Sequence, residues 1–284
     1  MIDAKAGPYG ALLLRVAMGI LFIAHAHLKV FVFTMAGTEG FFASLGLPGR
    51  QQELLEAVVA LGKPVVLVLI NGRPLSINWA AEHVDAILEA WEPGSEGGHA
   101  VADVLFGNVN PGGKLPVSFP RSGAHEPLYL AHNLTQAPES APGFVSRYWD
   151  SLSTPLYPFG FGLSYTTFAF SSLKLERPEA KVGETVSVSV EVTNTGGLAG
   201  DEVVQLYLHQ RAGTASRPIR ELKGFQRIHL VPGEKSTVTF SLGPEELRYW
   251  SSAEKKWVLD AERFDIWVGG DSRARLHTML TVTP

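Results

Sequence analysis

Hydrophobic and polar positions divide this chain into four regimes. From Tyr9 to Met35 the sequence is almost continuously apolar, interrupted by Arg15, His25, His27 and Lys29. From Gln51 to Leu61 the apolar residues Leu54, Leu55, Val58, Val59 and Leu61 recur near helical spacing and predict an amphipathic helix, which Gly62-Lys63-Pro64 stops. Pro64 to Ile70 (PVVLVLI) is an unbroken β-branched run of the kind found in buried parallel strands. Asn71 to Pro74 is a turn, Trp79 to His83 a helical turn, and Val84 to Trp91 contains a second short strand. Ser95 is placed to N-cap a helix running to about Phe106, with Glu96 at its positive end. Strand and helix thus alternate as in an open parallel sheet. Asn108 to Gly113 is a turn cluster, and Lys114 to Phe119 a short edge segment.

Beyond Ser122 the pattern dissolves into Pro, Gly, Ser and His, which predicts a connecting segment. From Thr166 onward period-two alternation takes over, in Val186–Val192 (VSVSVEV), Val203–Leu208, Thr237–Leu242 and Phe264–Val268. Short strands separated by turns at Asn194–Gly200 and Val231–Glu234 predict an immunoglobulin-like or fibronectin type III-like β-sandwich of about seven strands. No Cys–Trp–Cys core is present, which excludes the disulfide-centred version. The expected organisation is an apolar helical segment over residues 1–46, a partial α/β sandwich over 47–122, a linker over 123–165 and an all-β sandwich over 166–284.

Two or three strands do not make a parallel sheet that can be covered on both faces. The cut edge needs a cover, either the apolar segment 9–35 or a second copy of the chain, and so self-association into a homo-oligomer is expected. Segment 1–46 has three readings: a membrane helix with Arg15 and Lys29 snorkelling to the interfaces, a signal peptide cleaved after Ala26, or a helix packed on the core. The uncharged run Val16–Ala24 is short of the roughly 20 residues that span a bilayer. A soluble protein is the favoured expectation, with periplasmic and membrane-associated locations as alternatives.

Composition narrows the chemistry. Hydrophobic residues make up 45% and charged residues 18% of the 284, as in ordinary folded domains. A net charge of −4 and the lack of a basic stripe argue against nucleic acid as a partner. There are no cysteines, which removes disulfides, thiolate metal sites and cysteine nucleophiles. No HExxH, P-loop, GxGxxG or GxSxG pattern occurs, and no cofactor is expected. His83, His125 and His132 bind metal only if the fold gathers them, and no metal site is expected.

Three stretches carry a resemblance. WEPGSEGGHAVADVLFGNVNPGGKLPVSFP (Trp91–Pro120), PLYPFGFGLSYTTF (Pro155–Phe168) and RPIRELKGFQRIHLVPGE (Arg217–Glu234), in this order, resemble the C-terminal part of family 3 glycoside hydrolases of the β-glucosidase type. The resemblance runs from about Leu47 to the C-terminus. It implies a truncated α/β sandwich followed by a fibronectin type III-like domain, with β-linked glucosides or oligosaccharides as substrates. The stretches LLLRVAMGILFIAHAHLKVF and FFASLGLPG also resemble the first helix of DoxX-type membrane proteins.

Family 3 enzymes cleave the glycosidic bond with two carboxyl groups. The resemblance places the nucleophilic aspartate on an N-terminal barrel and the acid/base glutamate just upstream of LPG-x-Q. Neither maps onto this chain, where Glu39 is the carboxylate nearest the second position and nothing around it matches. A glycosidase-like chain that does not turn over alone is therefore the first expectation. A non-catalytic, carbohydrate-associated or oligomerising module is the second, and a hydrolase of another bond, such as an ester, the third.

Glu92 and Glu96 are the candidate catalytic pair, because they flank a glycine-rich turn at the C-terminal end of a strand, where open α/β sheets bind ligands. Trp91 and His99 are candidate substrate contacts, Trp91 by stacking on a sugar ring. The plainer roles are a helix-terminal charge for Glu96, a solvated loop position for Glu92 and strand–helix packing for Trp91. His99 and Asp103 lie four apart on one helix face. Ser95, as a nucleophile with His99, would have to give up its cap. Arg147, Tyr148 and Trp149 form a polar-aromatic cluster suited to an interface.

Overall fold

The computed structural model describes residues 46–122, 128–133 and 152–284. The expectations for segment 1–45, for His125 and for Arg147–Trp149 lie outside the described residues. The chain divides into two compact units, the first holding the described residues up to Ala102 and Ser122, the second Asp103–Arg121 and the described residues from Leu128 onward.

In the first unit, α1 (Gln51–Val59) is the expected helix, and it buries Leu55. The strands β1 (Val66–Leu69) and β2 (Ala86–Glu89) pair in parallel, Val66 opposite Ala86 through Leu69 opposite Glu89. Between them runs α2 (Asn78–His83), whose Ala80 is fully buried. The N-terminal ends of the two strands are tied by Val65 N–H donating to Asp85 Oδ2 (2.7 Å). Then comes α3 (Gly97–Leu105). Its first intrahelical bond runs from Ala100 N–H to Glu96 O, which puts Glu96, not Ser95, at the residue before the helix. Leu54, Leu61, Val66 and Ile70 are exposed, so part of the apolar pattern lies on the surface.

The second unit is a β-sandwich. One sheet has the order β4–β12–β11–β6–β7, made from Glu179–Lys181, Leu276–Thr283, Arg263–Gly269, Gly200–Gln210 and Glu221–Leu230. The other has the order β3–β5–β8, from Phe168–Leu175, Val186–Asn194 and Lys235–Leu242. All pairings are antiparallel except β4 with β12. β3 slips register against β5 between Ser171 and Lys174, with Ser172 at φ 53. A helical turn, α4 (Pro244–Leu247), leads into the hairpin β9 (Tyr249–Ser251) and β10 (Lys256–Val258).

The core is what the alternation predicts. Val186, Val188, Val190 and Val192 of β5 face Val204, Leu206, Leu208, Ile266 and Leu280 of the other sheet, all essentially inaccessible to water. Each such side chain contributes about 1.5–3 kcal/mol by leaving water. β6 departs from alternation, because Gln205 and Tyr207, on its other face, are buried as well.

The cover over that second face is the stretch Pro155–Tyr165, part of the segment expected to be a linker. It pairs with the Lys114–Phe119 segment through Leu115 N–H to Phe161 O and Phe119 N–H to Tyr157 O (both 2.8 Å). Tyr157 stacks on Phe161, with ring centroids 5.2 Å apart. Gln205 Nε2 donates to Gly160 O (3.1 Å) and Gly270 O (2.6 Å), and Gln205 Oε1 accepts from Tyr207 O–H. Burial pushes the Tyr207 phenol well above its ordinary value, so it stays a donor. Asn110 ties the same segment to β6, donating to Ala199 O (2.9 Å) and accepting from Ser164 Oγ (2.8 Å). Lys114 pairs with buried Glu202 at 2.8 Å.

Gly160 has no substitute in this arrangement: its φ is +79, and a Cβ there would sit 2.0 Å from Gln205 Oε1. Gly233 has a similar φ of +78 but open space around the missing Cβ. Gly233→Ala is expected to cost the backbone strain alone, about 1–2 kcal/mol. Gly160→Ala is expected to cost at least about 2 kcal/mol more, because it also displaces a buried hydrogen-bond network. Urea unfolding of the two variants measures the difference.

Candidate functional site

The parallel strands β1 and β2 end side by side, and their C-terminal exits are where an open α/β sheet places ligands. β1 leads into Asn71, and β2 ends at Glu89. Glu89 clamps the two exits together. Its Oε1 accepts from Trp91 N–H (2.9 Å), and its Oε2 accepts from Asn71 Nδ2 (3.3 Å). Asn71 N–H in turn donates to Trp91 O (3.1 Å). Glu89 is half-buried, and this desolvation raises its pKa against the two hydrogen bonds, which lower it.

Trp91 is the focus of this clamp. It lies beyond the strand, in the left-handed region at φ 51. That conformation is unusual for a bulky side chain and persists only where surrounding contacts impose it. The clamp thereby fixes the backbone of half-buried Trp91 at the strand exit. Glu92 follows, exposed, with its carboxylate above Gly72: a Cβ on Gly72 would lie 3.1 Å from Glu92 Oε1.

Glu96 and His99 sit further along, both exposed, and pair with one another at 2.8 Å through Glu96 Oε2 and His99 Nδ1. His99 thus meets Glu96 and not Asp103, which accepts from Asn108 Nδ2 (3.1 Å). Ser95 is exposed. Two further polar atoms in the β1 exit, Asn71 Oδ1 and Ser76 Oγ, are buried without a hydrogen-bond partner. His83 stacks on Trp79 (4.3 Å) and shares a hydrogen bond with Trp79 O (2.7 Å). Among the described residues no group of three or more metal-ligating side chains is gathered. None of the described helices is long and apolar enough to cross a membrane.

Sequence reasoning picked Trp91, Glu92, Glu96 and His99 but missed Glu89 and Asn71. The missing signal was the pairing register: Leu69 opposite Glu89 makes both residues strand ends, which neither run discloses alone. The second unit has an open depression of about 450 Å³ lined by Lys114, Phe161, Glu202, Asp271, Arg273 and Arg275. Its cationic and anionic groups are largely committed to one another, Lys114 with Glu202 and Arg273 with Asp271.

A carboxyl whose folded pKa is raised favours the folded state below its ordinary value of 4.5, and that contribution is lost as pH rises through the folded value. Glu89→Gln keeps an acceptor for Trp91 N–H and carries no charge. The variant is therefore expected to gain thermal stability relative to the wild type as pH rises above 4.5. Parallel melting curves across that range check it.

Comparison with known proteins agrees with this architecture. The model of the glycosyl hydrolase family 3 C-terminal domain matches residues 20–165, and that of the fibronectin type III-like domain matches residues 202–272. A periplasmic β-glucosidase of Salmonella typhimurium is 47% identical over 232 residues, covering 81% of this chain and 30% of its own length. A β-xylosidase of Formosa agariphila is 49% identical over 239 residues, covering 84% and 32%. The solved structure of a β-glucosidase from Erythrobacter marinus superposes with a TM-score of 0.79 at 44% identity, over 85% of this chain and 31% of that one. A Listeria innocua β-glucosidase in complex with glucose also gives 0.79, at 39% identity, over 85% and 34%. The chain spans about a third of the length of the relatives it matches. The motifs at Trp91–Pro120 and Pro155–Phe168, the α/β unit and the β-sandwich place the chain in glycosyl hydrolase family 3, as its C-terminal α/β domain joined to a fibronectin type III-like domain.

Proposed function

We propose that this chain supplies the C-terminal part of a β-glycoside-hydrolysing enzyme acting on β-glucosides or β-xylosides, and that its strand-exit loop contributes sugar contacts but not bond cleavage. The observation that carries this reading is the Glu89–Asn71 clamp, which holds Trp91 at φ 51 where a sheet of this type receives a ligand. An indole carried on a backbone fixed in this way can stack on a pyranose ring, and Glu92 beside it can accept from sugar hydroxyls. His99 lies further from this role, because it is engaged with Glu96.

Cleavage asks more of a carboxyl pair than these residues offer. One group must donate a proton from water-poor surroundings while the other attacks or activates water. Glu92 and Glu96 are both open to solvent, and Glu96 is occupied by His99. Pure chain is therefore expected to show no turnover of p-nitrophenyl β-glucoside or β-xyloside above buffer. Turnover that disappears in Glu92→Gln or Glu96→Gln would overturn this and assign the cleavage to that pair. Turnover of p-nitrophenyl acetate lost in Ser95→Ala would support an esterase instead.

A second reading, association through the first unit, is favoured by the exposure of Leu54 (65%) within α1, Leu61 (71%) just beyond it and Ile70 (63%) beyond β1. Exposed aliphatic groups in such number near a two-stranded parallel sheet mark a contact surface. Sedimentation velocity is expected to show species heavier than one chain. A Leu54→Glu, Leu61→Glu double variant is expected to sediment as a single chain.

A further inference from the structure

The hairpin β9–β10 carries two tryptophans that no packing requirement accounts for. Trp250 and Trp257 are directly opposed in its register, so both rings stand on one face. Each is more than half exposed, at 52% and 54%. Their planes meet at 77° with centroids 5.8 Å apart, forming an apolar corner. The opposite face of the hairpin is anchored. Tyr249 and Ser251 are buried, Tyr249 O–H donates to Asp260 Oδ2 (3.1 Å), and the Arg217 guanidinium lies 4.2 Å from the Tyr249 ring centre. The indoles therefore project from a fixed base. Arg248 packs against Trp257, its guanidinium carbon 4.6 Å from the ring centre.

The charges around the corner indicate what it receives. Arg248 pairs with Glu245, and Lys256 pairs with Glu254 at 2.8 Å. Four of the six charges between Pro244 and Val258 are neutralised in these pairs, and the other two are opposite in sign, Lys255 at the turn and Glu246, which accepts from Gly243 N–H, so the face offers neither a cationic nor an anionic field. A nucleic acid or a charged peptide would need one. An uncharged ligand with a flat apolar face and a polar edge fits both halves of the site. A β-linked pyranose is such a ligand: its equatorial hydroxyls form the polar rim, and its axial C–H groups form flat faces that stack on indole. The ion-paired side chains at the edge supply donors and acceptors to the hydroxyls.

We propose that Trp250 and Trp257 form a binding platform for an uncharged β-linked polysaccharide, separate in sequence and in structural unit from the strand-exit loop. The choice of ligand rests on the carbohydrate reading above, and no catalytic step enters. The platform is a holding site that keeps the chain on its polymer.

Native electrophoresis of the full chain in gels containing soluble mixed-linkage β-glucan tests it. Wild type is expected to be retarded relative to plain gels, and Trp250→Ala and Trp257→Ala are expected to lose the retardation while Trp250→Tyr keeps part of it. In wild type, oxidation of Trp250 and Trp257 by N-bromosuccinimide, followed by mass spectrometry, is expected to slow severalfold with the glucan present while that of Trp267 is unchanged. This second measurement decides the matter if the alanine variants fail to fold. Unchanged wild-type mobility, equal retardation of wild type and alanine variants, or unprotected tryptophans overturns the proposal. A dimer of the wild type that Trp250→Ala dissociates, without retardation by glucan, overturns it in favour of a second copy. Retardation without aryl-glycoside turnover sustains it, and turnover without retardation defeats it while leaving the family activity standing.

Discussion

The second unit depends on one side chain's ability to hydrogen-bond in three directions. Gln205 sits on the face of β6 turned away from the core and is almost wholly buried. Its amide joins Gly160 O, Gly270 O and the Tyr207 hydroxyl, which belong to three separate stretches of chain. A buried amide left unmatched costs about 1–3 kcal/mol per unpaired group, so these stretches are not free to drift. The requirement explains why the aromatic-glycine run Phe159–Leu163 is laid down where it is. It also explains why Gly160 must lack a side chain and why Tyr157 and Phe161 stack above the sheet.

The first unit uses a related device on a smaller scale. Glu89 is drawn partly out of water, and hydrogen bonds from Trp91 N–H and Asn71 Nδ2 offset only part of that cost. The return is positional: two strand exits are locked together, and the Trp91 backbone is held in the left-handed region it would not choose. The charged groups most visible at this edge, Glu92, Glu96 and His99, are exposed and loosely constrained by comparison.

Much of the sandwich was legible in the sequence, because period-two alternation survives wherever one face of a strand is buried and the other wet. VSVSVEV, for example, emerges with every second residue hidden. The α/β order was legible for a different reason: the β-branched apolar run PVVLVLI between turn signals does form a parallel strand, though only Leu69 of it is fully buried and Val66 and Ile70 are exposed. The reading failed where a strand is covered on both sides or where a cover comes from far along the chain. Gln205 reads as a surface residue beside Val204, and nothing in Pro155–Tyr165 announces that it packs on β6. The site was half legible. Trp91 was found through its place after a strand, but the partners that hold it come from a strand exit 20 residues earlier and from a glutamate that looked like part of the strand.

The slip of β3 against β5 at Ser171–Lys174, with Ser172 turned to φ 53, lies on one of the two edge strands of the smaller sheet. A straight outer strand would present a ladder of unsatisfied amide and carbonyl groups to any passing extended peptide. The kink breaks that ladder after a few rungs and twists the remainder away. Filament growth by edge-on strand addition is thereby frustrated at this border, and a crowded solution of the protein is shielded there from amyloid-like stacking.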